Sequence, residues 1–210
     1  ADDAYYARKV ASALDVKLNV IEVSPDITAW LPKIGDHLDE PIGDSAAINT
    51  LLICEAAHRN GVKVLLSGMG ADELFGGYGK HLANQMAARY RILPSSLRRS
   101  IISPLVKRLP VASRNRSLRL ARWARRFVEF ADLSDADAFL RSYTYFGLNE
   151  LHKFAGEDSR DAIDNIVHHH HEIFHTARSR SLLDRMCYTD AQMFMTGLNL
   201  NYTDRASMAA

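Results

Sequence analysis

Cysteine is scarce in this chain: Cys54 and Cys187 are far apart, and each sits in an apolar helical pattern. That usage argues against a disulfide framework and for a reducing cytoplasm. Long apolar runs are missing as well. None approaches the roughly 18 residues of a membrane-spanning helix, and no basic-then-apolar leader opens the sequence, so neither a membrane span nor export is expected. A third absence is local. From Leu74 to Val128 there is no Asp or Glu, and these 55 residues hold 13 of the 26 lysines and arginines. The formal net charge is only +1, so the remainder is acidic in compensation. Such asymmetry predicts an anionic partner or an acidic surface elsewhere in the molecule.

What is present fits a soluble globular protein: 210 residues, 47% hydrophobic and 24% charged. That length suits one ordinary domain or one large domain cut short. Ala1-Asp2-Asp3-Ala4 opens directly into a helical pattern, and Ala209-Ala210 stops in the middle of what reads as an ordered segment. A fragment is therefore expected.

Asp2 and Asp3 can cap a first helix bearing Tyr6, Val10 and Leu14 at helical spacing. Lys17 to Val23 alternates and reads as a strand. Ser24-Pro25-Asp26 opens a second helix with Ile27, Leu31 and Ile34 on one side. Asp44 or Ser45 caps a third, running to about Arg59 with Ile48, Leu51, Leu52 and Ala56. Val62 to Leu66 is nearly all apolar, as in a parallel sheet covered on both faces. The first third thus reads as α/β. After Gly79 the strand signal disappears, and helices are expected at about 80–92, 95–109, 114–131, 134–146, 148–154, 159–178 and 182–197. Two strands are too few for an independent sheet, so further strands are expected outside this chain.

The stretch Ser67-Gly68-Met69-Gly70-Ala71-Asp72-Glu73-Leu74-Phe75-Gly76-Gly77-Tyr78 follows the second expected strand at once. In open α/β sheets ligands bind beyond the carboxyl ends of strands. Gly68 and Gly70 let the main chain approach a ligand closely, and N–H groups exposed at a turn favour phosphate. Asp72 and Glu73 would repel phosphate unless a divalent cation sits between, and Mg²⁺ takes one or two carboxylates plus phosphate oxygens. Against this, Gly-rich turns are common, and acids in a first helical turn stabilise the helix dipole without chemistry. The string matches neither a Walker A loop nor a dinucleotide fingerprint.

The twelve residues as a whole resemble the SG-x-G-(S/G/A)-DE-(L/V)-FGGY motif of the asparagine synthase (glutamine-hydrolysing) family. Two further segments agree in order and spacing. Asp39-Glu40-Pro41 with Asp44-Ser45-Ala46 and Thr50 resembles the family's DEP…DSSA…T segment, and Asp204-Arg205-Ala206-Ser207-Met208-Ala209 resembles DR-x-SMA. The resemblance implies a fragment of the C-terminal synthetase domain. Its fold would be α/β, a partial parallel sheet of the ATP-pyrophosphatase (adenine nucleotide alpha hydrolase-like) type followed by a largely helical half. Residues 1–79 would form the nucleotide-binding part, without the first phosphate loop, and residues 80–210 the helical part.

The chemistry it implies is adenylation of the aspartate side chain by ATP, then displacement of AMP by ammonia from a glutaminase domain of the same polypeptide. By motif, Ser67, Gly68 and Gly70 correspond to ATP contacts, Asp72 to a ligand of Mg²⁺, and Glu73, beside it, to a catalytic carboxylate. Met69 stands where the family usually has an acidic residue, and a thioether neither accepts a proton nor balances a cation. The resemblance thus leaves open a base located elsewhere, an acceptor other than aspartate, a tolerated variant in an ordinary asparagine synthase, or a non-catalytic homologue. The family's usual Lys before Asp204-Arg205 is replaced, by Tyr202 or its neighbour. The family's other phosphate loop, SGG-x-DS, is not among these residues, so no ATP-dependent amide synthesis is expected from them alone. Sheet edges left open would favour pairing with another chain, including a homodimer.

His168 to His171, with Glu172 and His175, invites a metal reading, since His168, His171 and His175 share a helical face. No cysteine or carboxylate completes a zinc spacing, so a solvated face is the expectation. The basic stretch, with Arg114, Arg116, Arg119, Arg122, Arg125 and Arg126, would suit an ATP-pyrophosphatase acting on RNA. A charged surface paired with Asp132, Asp135 and Asp137 is the expected alternative, with no nucleic acid bound.

Overall fold

The computed structural model of the chain describes residues 3–20, 27–38, 42–109 and 119–210. Its α-helices in order are α1 Asp3–Ala13, α2 Ile27–Leu38, α3 Ala46–Arg59, α4 Ala71–Phe75, α5 Gly79–Tyr90, α6 Ser95–Leu97 and α7 Ser103–Lys107. There follow α8 Arg119–Phe130, α9 Asp135–Tyr143, α10 Leu148–Ala155, α11 Arg160–Thr176, α12 Leu182–Thr189 and α13 Leu200–Met208. Two wider π-helical segments, Arg98–Ile102 and Asp190–Asn199, and a short 3₁₀ turn at Glu157–Ser159 complete the order. No described helix is long and apolar enough to cross a membrane.

The α/β expectation fails: among the described residues there is no strand and no sheet. Lys17 to Val20 and Val62 to Leu66 are without regular structure, and Ile21 to Val23 lie outside the described residues. A strand is defined by a hydrogen-bonded neighbour, and alternation or apolarity in one segment supplies none. Val64 and Leu66 accordingly stand 78% and 98% exposed, where a covered sheet would bury them. The fold is helical.

Two compact units divide the chain, Ala1–Ser67 with Leu198–Ala210, and Gly68–Gly197. In the first, α13 packs on both α2 and α3. Its core draws on Ile34 and Leu38 of α2, Ala47, Ile48 and Leu51 of α3, and Tyr202 and Ala206 of α13, all buried. The apolar spacing of α3 thus chose its inner face. Its start is satisfied by Asp44, whose Oδ1 accepts the Ala46 N–H at 2.9 Å. Lys33 and Glu55 join α2 to α3 at 2.6 Å.

The second unit carries two apolar clusters that share α9. Ala138 packs with Ala87, Phe130 and Ala131 on one side. Ala136 and Phe139 pack with Phe174 and Met186 on the other. Burying a Phe or Met side chain is worth about 1.5–3 kcal/mol, so α9 is the spine of the unit. Ser134 caps it, accepting the Asp137 N–H at 3.2 Å, and Ser181 does the same for α12 through the Asp184 N–H at 3.4 Å. Pro94 precedes α6, and Pro104 follows the π-helical segment at the start of α7.

Candidate functional site

Gly68 to Tyr78 folds as a turn, the single-turn helix α4 and a second turn. Two glycines make this shape available. Gly70 enters α4 with φ +91°, and Gly76 leaves it with φ +71°, both left-handed values that cost other residues roughly 1 kcal/mol or more. Both are also close-packed: a Cβ at Gly70 would lie 3.1 Å from Met195 Sδ, and one at Gly76 2.8 Å from Leu183 Cδ1. Helix α12 and the π-helical segment after it therefore press on the motif's own backbone.

The two adjacent acids take opposite directions. Glu73 is 1% exposed, and its Oε1 accepts the Tyr78 hydroxyl at 2.5 Å. That bond closes the motif on itself, with the Gly77 N–H donating to Asp72 O at 3.0 Å beneath it. Asp72 is exposed, and its carboxylate fills the place that a side chain at Gly77 would need. Asp72 is thus presented outward by the fold, while Glu73 is engaged inside it. Ser67 and Gly68 are exposed and Met69 is half-buried. Among the described residues no group of three or more His, Cys, Asp or Glu is placed to hold a metal ion. One outward carboxylate still fits Mg²⁺, which keeps most of its coordination for water and phosphate oxygens.

Immediately behind the motif lies a charged centre that the sequence did not announce. Asp190, 1% exposed, accepts from Lys80 Nζ through Oδ1 at 2.7 Å and meets His81 Nε2 through Oδ2 at 2.7 Å. Four rings enclose the ammonium, with centroids 4.3 Å (Phe194), 4.6 Å (Tyr143), 4.9 Å (Tyr78) and 5.3 Å (Phe139) from Nζ. Burial lowers the Lys80 pKa, and the Asp190 charge and hydrogen bond oppose that shift. Burial, and then Asp190, push the Tyr143 phenol up, and the Cys187 thiol likewise. The centre joins the two residues after Gly79 to the first residue of the π-helical segment. It holds the far end of the motif, while Met195 and Leu183 hold its glycines. Asp190 lacks any local signature and is separated from Lys80 by 110 positions. The one available signal was a lysine and a histidine one residue past the FGGY string.

The histidine run does not converge. His168 and His169 face Glu172 at 3.3 and 3.8 Å, and His171 meets Asp137 at 3.0 Å. His170 is turned inward and fully buried. Of the other family segments, Asp39-Glu40-Pro41 lies outside the described residues. Asp204 and Arg205 lie on α13, with the Arg205 Nε donating to Asn201 Oδ1 at 3.1 Å; they border a cleft with His37 and Met208.

The family model for asparagine synthase matches residues 1–210, the whole chain. The chain belongs to the asparagine synthase family. In Mycobacterium tuberculosis (strain ATCC 25618 / H37Rv), a protein whose name places it among the glutamine-hydrolyzing asparagine synthetases is 41% identical over 93 residues, covering 44% of this chain and 14% of that protein. Asparagine synthetase (glutamine-hydrolyzing) 1 of Bacillus subtilis (strain 168) is 34% identical over 113 residues, 53% of this chain and 18% of that protein. The amidase chry2 of Gibberella zeae is 30% identical over 90 residues, 41% of this chain and 13% of that protein. The matched segments thus span less than a fifth of these relatives. No solved structure matches.

Proposed function

We propose that the chain is part of the synthetase of a glutamine-dependent, asparagine synthase-like enzyme of the cytoplasm. Its reaction is the ATP-driven adenylation of a carboxylate, aspartate in the simplest case. Ammonia supplied by a glutaminase domain of the same polypeptide then displaces AMP to leave the amide. The observation that carries this reading is the division of labour in the motif: Glu73 closes on Tyr78, and Asp72 is left outward on a glycine turn. ATP supplies the leaving group when bound. The chain's own residues orient and neutralise it. Asp72 would hold Mg²⁺ against the phosphates, the exposed main chain at Ser67 and Gly68 would meet them, and Gly70, buried against Met195, would shape the turn that brings them there. Met69 moves no proton, so the base that receives one from the incoming amine comes from another residue or from the acceptor itself.

The test is Mg·ATP-dependent pyrophosphate release with aspartate and either glutamine or ammonium, in the gene product that carries these residues. Asp72→Asn is expected to lower it by roughly 10²–10³, and turnover unchanged by that substitution would overturn the reading. A second reading, a homologue without synthetase activity, rests on Met69. It predicts no pyrophosphate release with any carboxylate acceptor, and no gain when Met69→Glu restores the acid.

A further inference from the structure

Helices α5 and α8 meet with small residues on one side and large rings on the other. On α5, Gly79, Ala83 and Ala87 recur at every fourth position, and on α8, Trp123, Phe127 and Phe130 share a face. The seam is closed at one end, where Ala87 and Phe130 are buried together with Ala131 and Ala138. It is open at the other. There Gly79, Ala83, Trp123 and Phe127, with Ser142 of α9, line a groove of about 190 Å³. A Cβ at Gly79 would meet nothing within 4 Å, and Trp123 stays 44% exposed at the wall. The seam thus ends in a hollow that no side chain fills.

The wall sets the body of a ligand. The rings of Trp123 and Phe127 lie nearly parallel, 5.3 Å between centroids and 15° between planes. A third flat ring can extend such a stack or meet it edge-on. A cavity of about 150 Å³ accepts benzene, and drug-sized ligands need roughly 300 Å³ or more. The groove therefore has room for one six-membered ring with a short arm.

The polar groups set the charge. No carboxylate lines the groove, so an amine finds no counter-charge in it. Lys80 reaches the groove, but Asp190 holds its ammonium at 2.7 Å. The Ser142 hydroxyl donates to Phe139 O at 2.7 Å and accepts from Asn84 at 3.0 Å. Arg126 also lines the groove, and among the described residues no carboxylate pairs with it. Glu129, in the next turn, lies instead 3.8 Å from Arg141 Nη2. A guanidinium is a planar fork that takes the two oxygens of a carboxylate together.

We propose that this groove is a binding site for a small aromatic carboxylate, its ring on Trp123 and Phe127 and its carboxylate on Arg126.

Calorimetric titration of phenylacetate into the gene product that carries these residues, without ATP or Mg²⁺, tests the site independently of the synthetase reading. Saturable binding with a Kd below about 1 mM is expected. 2-Phenylethylamine, with a similar ring and the opposite charge, is expected not to bind. Cyclohexylacetate, with the same arm and no flat face, is expected to bind more weakly. R126Q is expected to weaken phenylacetate binding roughly tenfold or more, and W123L by roughly two- to tenfold. Both side chains are exposed, so circular-dichroism melts of the variants are expected to match the parent. R126K, which keeps the charge and loses the fork, is expected to fall between the parent and R126Q. The proposal is overturned if phenylacetate shows no saturation by about 10 mM, or if the amine or cyclohexylacetate binds as tightly. Binding indifferent to R126Q or to W123L overturns it as well.

Discussion

Phe139 contacts two fully buried histidines that the protein treats differently. On one side, His81 stacks at 6.0 Å from the Phe139 ring and is tied to Asp190. On the other, His170 lies 5.9 Å from the same ring, and neither of its ring nitrogens has a hydrogen-bond partner. Its other ring neighbours are Tyr143, Phe174 and His171. Burial, helped by the charge of His171, holds the His170 pKa down at about 4, against the opposing pull of Asp190 and Asp137. One histidine is therefore a joint in an ionic centre that fixes the motif. The other behaves as an aromatic ring that must stay neutral to remain inside. The difference shows that burial alone says little about a histidine's role. The nearest carboxylate decides it.

The largest test of this contrast removes that carboxylate. Asp190→Ala strands Lys80 and His81 without their shared partner, and breaking a buried pair this way costs about 3–5 kcal/mol. Urea unfolding of the variant measures it; a loss below about 1 kcal/mol would show that the centre does not hold the fold.

The next effect belongs to His170. Because His170 is harder to protonate in the folded chain than in the unfolded one, the unfolded state takes up more protons as acidity rises. Stability is therefore full above about pH 6.5 and is lost progressively down to about pH 4, by up to roughly 3 kcal/mol. His170→Phe, close in shape and without buried nitrogens, is expected to flatten that part of the stability–pH curve. An unchanged slope, read by thermal melts across the range, would assign the acid sensitivity to other groups. The smallest effect belongs to the motif's own closure. Tyr78→Phe removes the hydroxyl that Glu73 accepts and leaves a buried carboxylate short of a donor, at about 1–3 kcal/mol. The measurement is again urea unfolding, and a neutral result would make that bond incidental.

Helices were legible because their periodicity is local. The spacing of Ile48 and Leu51, the Asp44 cap and the Ser134 start all act within a few residues, and the helices from α5 to α12 fall close to the expected spans, whereas α13 was not expected. Strands were not legible in the same sense. Val62 to Leu66 has the composition of a covered strand, yet composition cannot provide the neighbour that makes one. The motif was readable as a family signature, and the outward position of Asp72 was not. Two adjacent acids look alike in sequence, and the side on which Tyr78 falls separates them. Asp190 was invisible for the reason that makes it useful: its partners are distant along the chain.

That distance also sets an order of events. The residues just past the FGGY string cannot be fixed until Asp190, 110 positions later, has been synthesised and brought back to them. At bacterial or eukaryotic translation speeds the gap is roughly 5 to 20 s. Through that interval the growing chain carries Leu74 and Phe75 on a turn with nothing yet behind it, a period in which a chaperone, or a neighbouring ribosome's product, has first access to the segment.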